Sequence, residues 1–412
     1  MPMPVPGDSV RLRGTNTLPF PLLPVFFLVG IFYLNFTSRV VLSPLLPVLE
    51  RDLGLGHGQA GSLFLLAQLG YCGGLLASGF VSWRWNHRWT ITLSTLGVGL
   101  VLLAVSQVTS VTGMRAWLVL LGVSAGLYLP SGITTVTEHA SKEHWGKALA
   151  IHELAPNLGY VTAPLLAEGL LRVLSWRGVL AVLGVLAILL GALYVFFGRG
   201  GGHRALRPRF TAMHQLVRDP SFWIMGTLFA ISVGTGLGVY MMMPLFLVSE
   251  IGMDRGVANS IVGVSRAPGL VIIFFSGMIS DRIGHRQALV LFLAMMGTLT
   301  LLLGLIRGPV ATPTLVFLQS AAAPCVFPVA FSMISRMFSP PLRPLVVSMI
   351  TIIGSLFGAG AIPSALGHWA EAFSFSSGFF LLGLLTLAIV PLLLYRGSPA
   401  SAEGKSDRAI TP

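Results

Sequence analysis

The sequence predicts an all-α integral membrane protein of twelve transmembrane helices, arranged as two pseudo-symmetric six-helix bundles. Three observations predict it: a charge-poor composition, twelve apolar runs of membrane-crossing length, and a repeat offset by 198 residues. Of 412 residues, 54% are hydrophobic and only 10% are charged, and the mean hydropathy is +0.83. A soluble chain keeps about a quarter of its residues charged to cover its surface. Soluble enzymes and soluble nucleic-acid binders are therefore excluded. The net charge of +12 would suit a nucleic acid only if the basic residues formed a patch. They are spread through the segments between apolar runs, so no nucleic-acid partner is expected.

A crossing helix needs about 20 mostly apolar residues. Breaking the chain at its charged or turn-rich clusters leaves runs beginning near Phe20, Gln59, Trp89, Trp117, Lys147, Gly178, Phe222, Asn259, Gln287, Thr312, Leu345 and Ser377. These runs do not alternate in polarity, which argues against a membrane β-barrel. Residues 1–19 are polar and proline-rich and show no cleavable signal, so they read as an N-terminal tail. Residues 20–197 form the first bundle and 221–396 the second. The basic, glycine-rich stretch 198–220 reads as the linker between them, and 397–412 as a C-terminal tail. Segments on the side of the N-terminus carry eighteen Lys and Arg against six on the other side, so both termini are expected in the cytoplasm of a bacterial-type inner membrane. The remaining two, Arg39 and Arg266, fall inside spans.

The halves resemble each other. Gly79 to Arg88 reads GFVSWRWNHR, and 198 residues later Gly277 to Arg286 reads GMISDRIGHR. Pro130 and Pro328 keep the same offset. Parallel membrane repeats of this kind suit alternating access, with a site near the midplane where the halves meet. GMISDRIGHR also resembles the Gly-x-x-x-Asp-Arg-x-Gly-x-Arg loop of the major facilitator superfamily, and with twelve spans the resemblance covers nearly the whole chain. It implies a gating role for Asp281, Arg282 and Arg286, and for Arg84 and Arg88 in the first copy. That copy departs from the pattern, with Trp83 in place of the acid and Asn86 in place of the glycine.

Ionisable groups inside spans are costly and are functional candidates by default. Arg39 continues a stripe with Asn35 and Ser43 at i, i+4, i+8. It lies eleven residues before Glu50, and Arg266 lies twelve after Asp254, so both sit about 16–18 Å below the same surface. Two guanidiniums at similar depth, one per half, can clamp a carboxylate or phosphate bidentately. Equally, each can bind backbone carbonyls and hold the bundle together, or Arg39 can snorkel outward. The pseudo-equivalent of Arg266 is Gln68, a neutral amide that would suit a substrate charged at one end. The stretch NFTSRVVLSPLLPVLERDLGL resembles anion:cation symporters of the superfamily, and an eighth-helix arginine resembles the monocarboxylate transporters. Both imply organic-anion transport with Arg39 and Arg266 as the matching positions.

Glu153, early in the fifth run, is the acid best placed to carry a proton, with His152 beside it; pairing with Lys147 is the structural alternative. Successive helix residues point about 100° apart, so the two should not both face a cavity. Glu168 reads as interfacial. Tyr71, Tyr128, Asn157, Tyr160, Tyr240 and Phe327 are further polar or aromatic candidates for a cavity lining. Cys72 and Cys325 sit in apolar runs and read as packing residues, not as a disulfide or metal pair. Paired carboxylates for a metal-dependent membrane enzyme, facing histidines for haem and an intramembrane lysine for retinal are not found in the spans, so no cofactor is expected. The expectation is a monomeric secondary transporter in contact with membrane lipids. Its substrate would be a small organic anion taken up with protons, with proton-driven efflux of drugs or metabolites as the alternative.

Overall fold

The computed structural model describes residues 22–207, 213, 216–339 and 342–395. The expected tails at 1–19 and 397–412 lie outside the described residues. Every regular element among the described residues is helical. Ten helices are long and apolar enough to cross a membrane. They are α1 (Leu22–Leu53), α2 (His57–Arg84), α3 (His87–Ser106), α4 (Val111–Glu138), α6 (Trp176–Phe197), α7 (Pro220–Ser249), α8 (with Arg255–Ile273 as its apolar part), α9 (His285–Leu305), α10 (Ala311–Met337) and α11 (Leu345–Ala372). The fifth and twelfth places are taken by α5, in two pieces (Trp145–His152 and Leu154–Leu171), and by α12 (Phe375–Tyr395). The repeat is visible in the helix starts: α3 begins at His87 and α9 at His285, the 198-residue offset of the loop motif.

Prolines decide where these helices break. A proline has no N–H for the carbonyl four residues back, and its ring crowds that carbonyl. Pro44 acts on Val40, next to the turn at Val41; Pro130 acts on Gly126, next to the break at Leu127; Pro156 acts on His152, where α5 divides at Glu153. Pro268 closes the turn Arg266–Pro268 that splits α8, and Pro324 lies in the 3₁₀ turn Ala323–Cys325 of α10. Helices α7 and α11 instead widen into π-turns at Gly234–Gly238 and Gly354–Ala361, which pack against each other. Arg39, Tyr128, Glu153 and Arg266 therefore all stand within a few residues of a proline-made break.

Within the first half, α2 and α4 cross with backbone almost in contact. A Cβ on Gly122 would come 2.1 Å from the Ala67 carbonyl oxygen, and one on Gly70 would come 2.0 Å from that of Val119. Small residues at such crossings let membrane helices pack without a hydrophobic driving force. Gly122→Ala is expected to destabilise the protein by about 1–3 kcal/mol, because backbone cannot yield to the added methyl. Gly73→Ala, where a Cβ meets nothing within 4 Å, should leave the unfolding temperature in detergent unchanged. Equal unfolding temperatures for the two variants would refute this account of the crossing.

The halves meet on the side away from the termini, hereafter the far side. Glu168 on α5 takes a two-bond ion pair from Arg255 on α8 at 3.0 and 3.1 Å, and Asn259 donates to the same carboxylate at 3.1 Å. Ser43 on α1 donates to the Met241 carbonyl on α7 at 2.8 Å. Helices α2 and α11 touch at Gly61 and Pro363 and at Gly367 and His57. Toward the terminus side, the described cross-half polar contacts reduce to a weak one from Cys72 Sγ to the Ile352 carbonyl at 3.7 Å.

Candidate substrate and coupling site

Arg39, at the end of the first straight piece of α1, is buried. Its guanidinium carbon lies 4.0 Å from the centre of the Tyr71 ring and 5.5 Å from that of Phe36. Arg266, at the break in α8, is equally buried, 4.5 Å from the centre of the Tyr240 ring and 5.1 Å from that of Tyr160. The rings connect across the seam. Phe36 meets Tyr160 edge-on at 4.7 Å, Tyr160 meets Tyr240 at 5.2 Å, and the Tyr240 hydroxyl donates to the Tyr160 carbonyl at 2.7 Å. Two cations from opposite halves are thus joined by three aromatic rings.

Aromatic faces hold a desolvated guanidinium by about 2 kcal/mol each, less than the several kcal/mol that burying an unpaired ion costs. Some compensation is present: Arg266 donates from Nη2 to the Gly236 carbonyl, 2.8 Å away in the π-turn of α7. Nε of both Arg39 and Arg266 is nevertheless buried with no hydrogen-bond partner, and neither arginine is in an ion pair among the described residues. The cluster has donors and charge to spare for an anion. Carbonyl binding, the structural alternative from the sequence, accounts for one of the donors on Arg266.

On the terminus side of this layer lies a cavity of about 340 Å³, bounded by Glu153, Asn157 and Tyr160 of α5 and by Arg266, Phe327 and Phe331 of α8 and α10, among others. Glu153 is at the division of α5 with its side chain about half exposed, and its backbone carbonyl accepts from Asn157 Nδ2 at 2.8 Å. Lys147 is exposed and makes no ion pair with Glu153; the basic group nearest its carboxylate is His152, at 3.7 Å.

The structure separates other residues of the sequence analysis from this cavity. Asn35 turns into the first bundle and donates to Ser94 Oγ at 3.2 Å and to the Ala125 carbonyl at 3.1 Å. Gln68 is buried against Gly360 of α11 with its Oε1 unpartnered. Tyr128 and His152 are fully buried beside Phe32, hydrogen-bonded to each other. Cys72 and Cys325 are both buried and free. Asp281 and Arg282 are exposed at the end of α8, and Arg286 follows the positive-φ turn at Gly284. In the first copy Arg84 is exposed. Arg88 donates to the Val195 carbonyl at 2.8 Å, and Asn86 caps α3 by accepting from the Trp89 N–H. That loop is bound to the start of the linker instead: the Arg88 N–H donates to the Gly201 carbonyl at 2.8 Å, and Glu138 accepts from the Gly201 N–H at 2.7 Å.

Two features escaped the sequence. Phe36 is one turn before Arg39 and so shares its face, a spacing that could have revealed it. The Glu168–Arg255–Asn259 latch joins residues up to 91 positions apart, and no local pattern links them.

Two six-helix halves closed on one side, with a charged seam and a cavity reaching toward the other, give the architecture of membrane transporters built for alternating access rather than of an enzyme. The chain belongs to the Major Facilitator Superfamily, whose profile matches residues 25–317 and 270–410. It is 23% identical over 267 residues to a probable nitrate transporter of Staphylococcus epidermidis, covering 62% of this chain and 66% of that protein. It is 22% identical over 213 residues to a probable L-galactonate transporter of Escherichia coli, covering 52% of this chain and 46% of the relative. The chain thus spans two thirds or less of these relatives' lengths. A bacterial homologue of the human lysosomal transporter Spinster, solved in an inward-facing conformation, superposes with a TM-score of 0.76 at 16% identity, covering 92% of this chain and 96% of that one. That similarity shows the fold.

Proposed function

We propose that this transporter takes up a small anion, a carboxylate or an ion of similar charge and size, together with protons. The observation that carries the reading is the pair of buried arginines, one from each half, each with an unpartnered Nε and no carboxylate beside it. An anion between them would offset two desolvated charges at once and tie the halves together, which is how a substrate biases a two-state carrier. That two relatives bear the names of nitrate and galactonate transporters supports the anionic class. Tyr71, Tyr240, Tyr160 and Asn157 would complete the lining. Glu153 would carry the proton, since it is the acid that shares a cavity with Arg266. The positive-inside charge bias supports cytoplasmic termini in an inner membrane, which makes the described conformation open to the cytoplasm.

The test is uptake of labelled nitrate, monocarboxylates and dicarboxylates by proteoliposomes under an imposed pH gradient. Uptake of at least one of these anions should follow the gradient. In Glu153→Gln, uptake should no longer respond to the gradient while anion exchange at equal pH persists. No uptake of any anion would end this reading and favour export. Unchanged gradient dependence in Glu153→Gln would remove Glu153 from the coupling.

A further inference from the structure

Tyr128 sits where its single proton has to choose between two neighbours. Its hydroxyl is 2.8 Å from the Leu28 carbonyl oxygen on α1 and 2.9 Å from Nε2 of His152. A carbonyl can only accept. Were the phenol proton directed at the imidazole, two oxygen lone pairs would face each other at 2.8 Å in a fully buried site. The phenol therefore donates to Leu28, and its oxygen accepts a proton carried on Nε2. A neutral imidazole with Nε2–H has a bare Nδ1. Nδ1 of His152 is buried with no hydrogen-bond partner, and it lies 3.7 Å from Oε1 of Glu153.

We propose that Tyr128 is a positioning residue: it holds His152 in the Nε2–H tautomer, so that the bare Nδ1 faces Glu153 and the two side chains share one proton. This rests on the proton-coupled reading above and says where the proton goes. Glu153, on the cavity side and half exposed, takes a proton from water. A small rotation closes the 3.7 Å gap to hydrogen-bond distance, the O–H bond breaks, an N–H bond forms on Nδ1, and the carboxylate regains its charge beside the new imidazolium. With no proton on the pair, an acceptor faces an acceptor. With one, the contact becomes a charge-assisted hydrogen bond.

The surroundings suit that task. Phe32 of α1 stacks on the imidazole at 4.5 Å, and Tyr128 of α4 lies nearly parallel to it at 5.8 Å. Beyond Tyr128, Tyr194 of α6 is buried with an unpartnered hydroxyl. The ionisable groups around the ring are thus Tyr128, Tyr194 and Glu153, and only Glu153 reaches water. Pro156 makes the arrangement possible, because the break it forces at His152 and Glu153 turns one side chain into the bundle and the next into the cavity.

The experiment is nitrogen NMR of the full chain in lipid nanodiscs with ¹⁵N-labelled histidine, His152 being identified in each background as the signal lost on His152→Gln. Wild type should show neutral His152 with Nε2 protonated and Nδ1 bare. Tyr128→Phe, which deletes the acceptor but keeps the ring, should convert that signal to a mixture of tautomers without changing the unfolding temperature by more than a few degrees. Protonation on Nδ1 in the wild type would overturn the proposal, and would do so even if Tyr128→Phe failed to fold. A pure Nε2–H signal in a folded Tyr128→Phe would overturn the role of Tyr128. Nδ1 protonation together with gradient-driven uptake would sink the relay alone. The expected tautomer in a protein whose uptake ignores the gradient would refute proton coupling, and with it the relay's role.

Discussion

Arg266→Gln is expected to lower anion uptake by about 30-fold or more, because removing one partner of a desolvated charge pair costs about 2–5 kcal/mol. Glutamine is the informative replacement. It is the residue at the pseudo-equivalent position, Gln68, and it keeps a neutral N–H donor in place of the guanidinium. The substitution removes the charge and the planar fork, together with the bond from Arg266 to the Gly236 carbonyl in the π-turn of α7. Arg39→Gln should fall similarly, since Arg39 faces Tyr71 and Phe36 with the same unpartnered Nε. Arg266→Lys should be intermediate, because an ammonium keeps the charge but not the bidentate geometry or the stacking on two rings. Initial uptake rates at low anion concentration would measure all three. Wild-type uptake by Arg266→Gln would make both arginines structural ties and remove the main support for an anionic substrate.

The second large effect is expected at the far side. Glu168→Gln should shift the protein toward the state open on that side by about 5- to 30-fold, the equivalent of about 1–2 kcal/mol for an ion pair that is only partly shielded from water. Glu168 is 10% exposed on its side chain and Arg255 34%, so the pair is worth more than a surface bridge and less than a buried one. In the variant an amide N–H₂ would face the guanidinium, donor against donor, while the carbonyl end could still accept from Asn259. Ser43→Cys provides the readout, since position 43 is fully buried between α1 and α7 in the present state. Labelling of that cysteine by a membrane-impermeant maleimide should speed up by the same factor, against a low background because Cys72 and Cys325 are buried. Equal labelling rates with and without Glu168→Gln would show that the latch does not hold the far side closed.

The membrane class, the helical spans, the duplication and the two intramembrane arginines were legible because each is written in local composition or in a fixed offset. A span must be apolar along its whole length, and an arginine inside one stands out against that background. Partners were not legible in the same way. The stripe of Asn35, Arg39 and Ser43 looked like one face of a helix, but Asn35 reaches α3 and α4, Arg39 reaches Tyr71, and Ser43, beyond the turn at Val41, reaches α7. Tyr128 read as a cavity residue, and in the structure its neighbours are the buried ring of His152 and the Leu28 carbonyl inside the first bundle.

What the sequence by itself determined is the solvent this chain must live in, its helices, its repeat and the residues too polar to be there without a reason, since these follow from transfer energies and periodicity along one stretch of chain. What only the tertiary structure decided is which of those residues meet: that Arg39 and Arg266 share a chain of aromatic rings, that Glu168 closes the far side on Arg255, and that His152 turns away from the cavity its neighbour Glu153 faces. The physical reason is that proline breaks and π-turns rotate each half-helix about its axis by amounts no residue spacing records. Contacts across the seam are then set by how two halves pack, not by either half's own sequence.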